Sequence, residues 1–88
     1  MFYFYMIKNE ENNLYIGVTE NPKRRLSEHN NKQGAKFTKG KSKFKIVFLE
    51  KYDSLDKARS REIQVKKWRR DKKDFLINKY NKNLETKI

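Results

Sequence analysis

Apolar residues alternate from the first positions of the chain. Phe2, Phe4 and Met6 fall on one side and Tyr3, Tyr5 and Ile7 on the other. That two-residue period belongs to a pleated strand, and aromatic residues favour one. The polar run Asn9 to Asn13 reads as a turn. Leu14 to Val18 resumes the alternation, with Leu14, Ile16 and Val18 on one face and Tyr15 and Gly17 on the other. So short a connection predicts an antiparallel hairpin. Asn21-Pro22 combines a capping residue with one that suits the first helical position, so a helix is predicted from Pro22 to about Asn31. Gly34 lies just past it, as a stop. Lys32 to Lys43 reads as a basic loop and Phe44 to Tyr52 as a third strand. Ser54 can cap a second helix that runs to about Arg69, with Asp56 in its first turn. Asp71 to Tyr80 predicts a third helix. The expected fold is α+β, a small three-stranded antiparallel sheet flanked by helices in the order β-β-α-β-α-α. It occupies residues 1–80, with 81–88 as a flexible tail.

Composition narrows the partners. A chain of 88 residues makes one small domain, which buries only about 60–65% of the surface it exposes unfolded. Apolar residues are 35% of the chain, but Phe, Tyr and Trp supply 6, 5 and 1 of them, and aromatic side chains bury the most area each. Lys and Arg number 23 against 11 Asp and Glu, a formal charge of +12. Such self-repulsion opposes folding, and a polyanionic partner offsets it. Nucleic acid is the first candidate and an anionic membrane surface the second, while an AT-rich genome that favours Lys, Asn and Ile is the bland account.

Cysteine is absent, which excludes disulfides, thiolate chemistry and cysteine zinc sites. A single histidine excludes a multi-histidine metal centre. Met1 to Ile7 is too short for a signal core, and no run approaches the roughly 18 apolar residues of a membrane span. The expected location is the cytoplasm, with no membrane partner.

Four groups of residues could carry chemistry. Arg25 and His29 are four apart on a predicted helix and share a face. A guanidinium forks onto a phosphate, and an imidazole trades protons near neutral pH; the same pair is also compatible with a solvated face. Glu62 falls within the apolar stripe of Leu55, Ala58, Val65 and Trp68. A carboxylate there needs compensation from a divalent ion or from a basic side chain, and both remain open. Tyr5 and Tyr15 have the parity to share a sheet face, where phenols can hold water or serve as packing. Gly17 marks a close approach within a strand. Basic residues cluster at Lys36, Lys39, Lys41 and Lys43 around Phe37, and at Lys66, Lys67, Arg69 and Arg70 around Trp68. Such clusters track a phosphate backbone, and an aromatic among them can stack on a base. Phe37 suits stacking, whereas Trp68 lies on the stripe and suits the core.

These residues stand in a familiar order. Tyr15-Ile16-Gly17 is one half of the GIY-YIG motif, and Tyr3-Phe4-Tyr5 occupies the place of the other half, keeping only its last tyrosine. The chain resembles the GIY-YIG endonuclease superfamily, in particular its small stand-alone members of the YhbQ and UPF0213 type. Asn21 to Asn30 is similar to the helix that follows the motif, Gly34 to Thr38 to the next loop, and Ala58 to Lys67 to the metal-binding helix. The likeness runs from Tyr3 to Ile77. A late asparagine that some members use has no counterpart here.

The resemblance implies a metal-dependent DNA endonuclease. It implies that Tyr5 and Tyr15 are the motif tyrosines, Arg25 the phosphate-binding arginine and His29 a further active-site position. Glu62 would then hold one Mg²⁺ or Mn²⁺. In the implied reaction Tyr5 or His29 takes a proton from water, and Tyr15 orients that water or the phosphate. A tyrosine base needs its pKa lowered from about 10, a shift expected from Arg25 and the metal. With no separate sequence reader among these residues, single-stranded or branched DNA is the expected substrate. No small-molecule cofactor is expected. The competing readings are an inactive nucleic-acid-binding module and an accessory protein held by charge to a ribosome or membrane.

Overall fold

A computed structural model describes the backbone of residues 1–36 and 43–86 and the side chains of 1–31 and 43–86. The elements are β1 (Phe2–Lys8), β2 (Leu14–Thr19), α1 (Pro22–Lys36), β3 (Lys45–Tyr52), α2 (Leu55–Lys66) and α3 (Arg70–Asn81). This is the β-β-α-β-α-α order expected. β1 lies in the middle of a sheet ordered β2-β1-β3, and both pairings are antiparallel.

Local chemistry explains the turns. Asn12 adopts φ 70°, a region asparagine enters more readily than most residues. The Asn12 N–H donates to the Asn9 carbonyl at 3.0 Å, and the Asn13 N–H to Asn9 Oδ1 at 2.9 Å. Asn21 caps α1 by accepting from the Arg24 N–H at 3.1 Å, and Ser54 caps α2 by accepting from the Lys57 N–H at 3.3 Å.

Gly34 does not stop α1, which continues to Lys36. A glycine inside a helix costs only about 1 kcal/mol relative to alanine. It ends a helix when it turns left-handed just past the last residue. Here Lys32, Gln33, Ala35 and Lys36 around it are good helix formers, and the helix carries through. The expected basic loop is thereby shortened, and its residues 37–42 lie outside those described.

The second helix stops at Lys66, not at Arg69. Lys67 and Trp68 both donate backbone N–H bonds to the Val65 carbonyl, and Arg69 is extended (φ −69°, ψ 160°). The break turns the chain so that Val65 of α2 and Leu76 and Ile77 of α3 reach one core.

That core lies on one face of the sheet, where Phe4, Met6 and Phe48 meet Val65, Leu76 and Ile77. The other cluster joins Tyr5, Ile7 and Phe44, with Leu26 of α1 against it. β1 is thus covered on both faces, and Phe4, Tyr5, Met6 and Ile7 are all buried. A bulge in the β1–β3 pairing divides β3 between the two clusters. Met6 faces Phe48 and Ile7 faces Ile46, which leaves Val47 as the extra residue. Val47 therefore packs with Phe48 on the first core, and Ile46 returns to the second. Trp68 packs against the first core as expected, but Leu55 is 40% exposed. It is the first residue of α2, so the apolar stripe that includes Glu62 starts one turn later. Among the described residues no helix is long and apolar enough to cross a membrane.

Candidate active site

The hairpin register puts Tyr5 opposite Gly17 and Ile7 opposite Tyr15. Both tyrosines therefore stand on one face, as strand parity predicts. Their environments differ: Tyr5 is 8% exposed and Tyr15 54%. The Tyr5 ring lies across Gly17. A Cβ at position 17 would sit 2.6 Å from the Tyr5 hydroxyl oxygen and 2.8 and 2.9 Å from Cζ and Cε1. Glycine in the Tyr15-Ile16-Gly17 triplet is thus a steric requirement of the Tyr5 phenol.

That phenol is where the chain-distant groups meet. Burial pushes its pKa above the ordinary tyrosine value. The Arg25 guanidinium opposes the shift, and Glu62 and Tyr15 add to it. β1, β2, α1 and α2 each contribute one member of this set. Arg25 acts in the expected sense, and burial outweighs Arg25 alone. Arg24, its neighbour, is instead tied to Glu28 at 3.1 Å.

Glu62 is 8% exposed, on the buried side of α2 as the stripe predicts. Arg59 Nη1 and Lys66 Nζ approach its two oxygens at 3.5 Å each, from positions one turn away on the same helix. Both cations are more than half exposed, so the carboxylate keeps only loose partners. No group of three or more His, Cys, Asp and Glu stands together among the described residues. This donor set does not suit an all-protein cage. It does suit an ion such as Mg²⁺, which is commonly held by one or two carboxylates and completed by water and substrate phosphate.

His29 is held by rings. It packs edge-on against Tyr15 at 4.6 Å and Phe44 at 4.5 Å, and Tyr15 and Phe44 are themselves 6.1 Å apart. Phe44 is 5% exposed and is fixed by Asn30. Asn30 Nδ2 donates to the Phe44 carbonyl at 3.2 Å, and the Phe44 N–H donates to Asn30 Oδ1 at 2.9 Å. The side-chain amide thus pairs with the backbone as another strand would, and it secures the chain one residue before β3.

The basic residues divide. Phe37, Lys39 and Lys41 lie outside the described residues, and Lys36 is placed only as the last residue of α1. Lys43 and Lys67 are exposed. Lys66 faces Glu62, and Arg69 pairs with Asp71 at 3.6 Å. Arg70 pairs with Asp74 at 3.1 Å, and its Nη2 donates to the carbonyl and Oδ1 of Asn12 at 2.9 and 2.8 Å. Arg70 therefore ties α3 to the β1–β2 turn.

Sequence reasoning missed Asn30 and a buried polar network. Arg61, 9% exposed, donates to Glu50 at 3.0 Å and to the Thr86 carbonyl at 2.8 Å. Tyr52 and Thr86 donate their hydroxyls to Glu50 at 2.8 and 3.1 Å. The only trace of this in the sequence is Arg61 next to Glu62, on the edge of the apolar stripe.

A hairpin bearing paired tyrosines, a helix bearing Arg25 and His29, and a buried glutamate on α2 are carried by one small α+β domain. Residues 1–81 match the GIY-YIG catalytic domain, and the chain belongs to that nuclease family. Its relatives include a UPF0213 protein of Clostridium perfringens, 40% identical over 89% of this chain and 84% of the relative. A UPF0213 protein of Syntrophus aciditrophicus is 45% identical over 85% and 87%. The fold is similar to an NMR structure from E. faecalis, with TM-score 0.64, 31% identity and coverage of 90% and 84%. It is also similar to that of a UPF0213 protein from Bacillus halodurans, with TM-score 0.57, 32% identity and coverage of 89% and 84%.

Proposed function

We propose that this protein is a divalent-metal-dependent endonuclease that hydrolyses DNA phosphodiester bonds in DNA repair or processing. Its substrate in this reading is single-stranded or branched DNA. The observation that carries the proposal is the pairing of Tyr5 and Tyr15 on one sheet face, with the Tyr5 ring across Gly17, in a chain that matches the GIY-YIG catalytic domain. Hydrolysis of a phosphodiester needs a positioned water, neutralised phosphate charge and support for the leaving oxygen.

Arg25, exposed on the first turns of α1, grips the scissile phosphate through its planar fork. The raised pKa keeps Tyr5 a neutral phenol at neutral pH, so it donates a hydrogen bond to water or to a phosphate oxygen. Tyr15, more than half exposed, orients the water from the next strand. His29, packed against Tyr15, or Tyr5 takes the proton from that water. Glu62 would hold one Mg²⁺ or Mn²⁺, whose charge would support the leaving oxygen when bound. The lysines around Phe37, together with Lys43, Lys66, Lys67 and Arg69, would hold the strand.

The test is a cleavage panel of labelled single-stranded, duplex and branched DNA with Mg²⁺, Mn²⁺ or EDTA. Cutting should require the ion and favour the single-stranded or branched forms. Glu62→Gln should abolish cutting while gel-shift affinity persists. Cleavage undiminished by EDTA, or by the Gln variant, rejects the assignment of Glu62. DNA binding without cleavage of any form under any ion leaves only a binding module.

A further inference from the structure

An open groove of about 690 Å³ lies beside the site, and Arg25 lines it. Arg25 thus acts electrostatically on the Tyr5 phenol and also lines this groove. The wall is unlike the rest of this basic chain. Phe2, Val18 and Leu55 give it an apolar side, and Leu55 accounts for its share with a side chain left 40% exposed. Its charges balance locally. Arg24 is neutralised by Glu28 at 3.1 Å, and exposed Glu20 faces the same space as Arg25. A second phosphate gains little from a wall of no net charge. A flat, amphiphilic group gains more, with apolar contact for its faces and polar groups for its edge.

From this juxtaposition we propose that the groove receives one unpaired nucleobase, that of the nucleotide flanking the phosphate held by Arg25. The inference rests on the nuclease reading for the position of that phosphate, and it deepens it. A base that enters the groove has left its stack and its partner, which is least costly in a strand already single or locally open. The groove is then the physical source of a preference for unpaired DNA. The requirement is for a base of any type, since every base has a face for the apolar side and a polar edge for the groups around it.

The test separates base from phosphate with two small probes, thymidine 5′-monophosphate and deoxyribose 5-phosphate, titrated into the full chain and followed by amide and arginine NMR signals. The nucleotide should shift Val18, Leu55 and Arg25, and the sugar phosphate Arg25 alone. Leu55→Ser, which changes apolarity without changing charge, should weaken the nucleotide about tenfold and leave the sugar phosphate unchanged. Leu55 is the first residue of α2 and lies outside the buried core, where a neutral polar side chain costs little, so the variant keeps its fold. Identical shift patterns for the two probes, or equal nucleotide affinity in the variant, overturn the groove assignment. The cleavage panel reports separately. Cutting without base-dependent shifts removes the groove and keeps the nuclease. Base-dependent shifts without cutting keep the groove and remove the nuclease.

Discussion

Gly17 shows how one missing methyl organises the hairpin. A Cβ there would press on three atoms of the Tyr5 ring at 2.6 to 2.9 Å, closer than any real contact allows. The ring is buried among Ile7, Phe44 and Leu26, so it cannot simply swing into solvent. Gly17→Ala should therefore cost about 1–3 kcal/mol, the range for overpacking a core, read from urea unfolding. Cleavage should fall further than stability does, because the displaced group is the phenol itself. An alanine variant with unchanged stability would mean that the ring has room elsewhere. Tyr52 offers a second test at this scale. Burial and its hydrogen bond to Glu50 push its pKa up to about 12, against the opposing Arg61. The folded state holds this proton more tightly than the unfolded chain, whose tyrosines titrate near 10. The linked stability is full below about pH 10 and is lost as pH rises toward 12. Urea midpoints should drop over that window, and Tyr52→Phe should drop less. Parallel curves would show that the proton on Tyr52 does not matter to folding.

At the scale of elements, the sequence carried the strands, the three helices and the placement of Glu62, because each follows from a local period or cap. The two tyrosines were legible for the same reason: parity along a strand is enough to assign a face. Other features depend on residues far apart in the chain. Asn30 and Phe44 are 14 apart, and Arg61 and Glu50 are 11 apart; no periodicity joins them. The bulge at Val47 breaks the two-residue rule, so it cannot be read from that rule. Gly34 misled because the same residue is a stop or a mere weak point depending on its backbone angles. The Asn30 clamp makes a prediction at this scale. Asn30→Ala removes both bonds to the Phe44 backbone in a part-buried setting, and leaving such groups without partners costs about 1–3 kcal/mol. Asn30→Asp keeps the acceptor for the Phe44 N–H and loses the donor, so it should fall between wild type and alanine in urea unfolding. Equal stability of all three would mean that water replaces the clamp. If the clamp does hold the Phe44 ring against His29, alanine should also broaden the His29 ring signals in NMR.

The whole molecule sets the strength and the salt dependence of binding. Its charge is +12, yet several basic side chains near the site already face carboxylates: Arg24 with Glu28, Arg59 and Lys66 with Glu62, and Arg69 with Asp71. The exposed pairs, Arg24 with Glu28 and Arg69 with Asp71, are worth little, about 0–1 kcal/mol, so a phosphate can displace their acidic partners at small cost. Arg70 differs, because its bonds to Asn12 hold two elements together. The longest dimension of the domain is 38 Å. With phosphates every 3.4 Å along a strand, roughly eleven pass that length, and about half face the protein. About six contacts predict a slope of log K against log salt near −4 for single strands and near −5 for duplex. Affinity for a single-stranded oligonucleotide should then fall roughly 300-fold between 50 and 200 mM salt. The loss belongs in KM, because Tyr5 and Glu62, both buried, act at short range behind cover from solvent, where screening is weak. Removing Lys67, exposed and at the end of α2, should reduce the slope by about one and leave kcat unchanged. A flat salt response would place the grip on the strand in the groove and the rings, not in the charge.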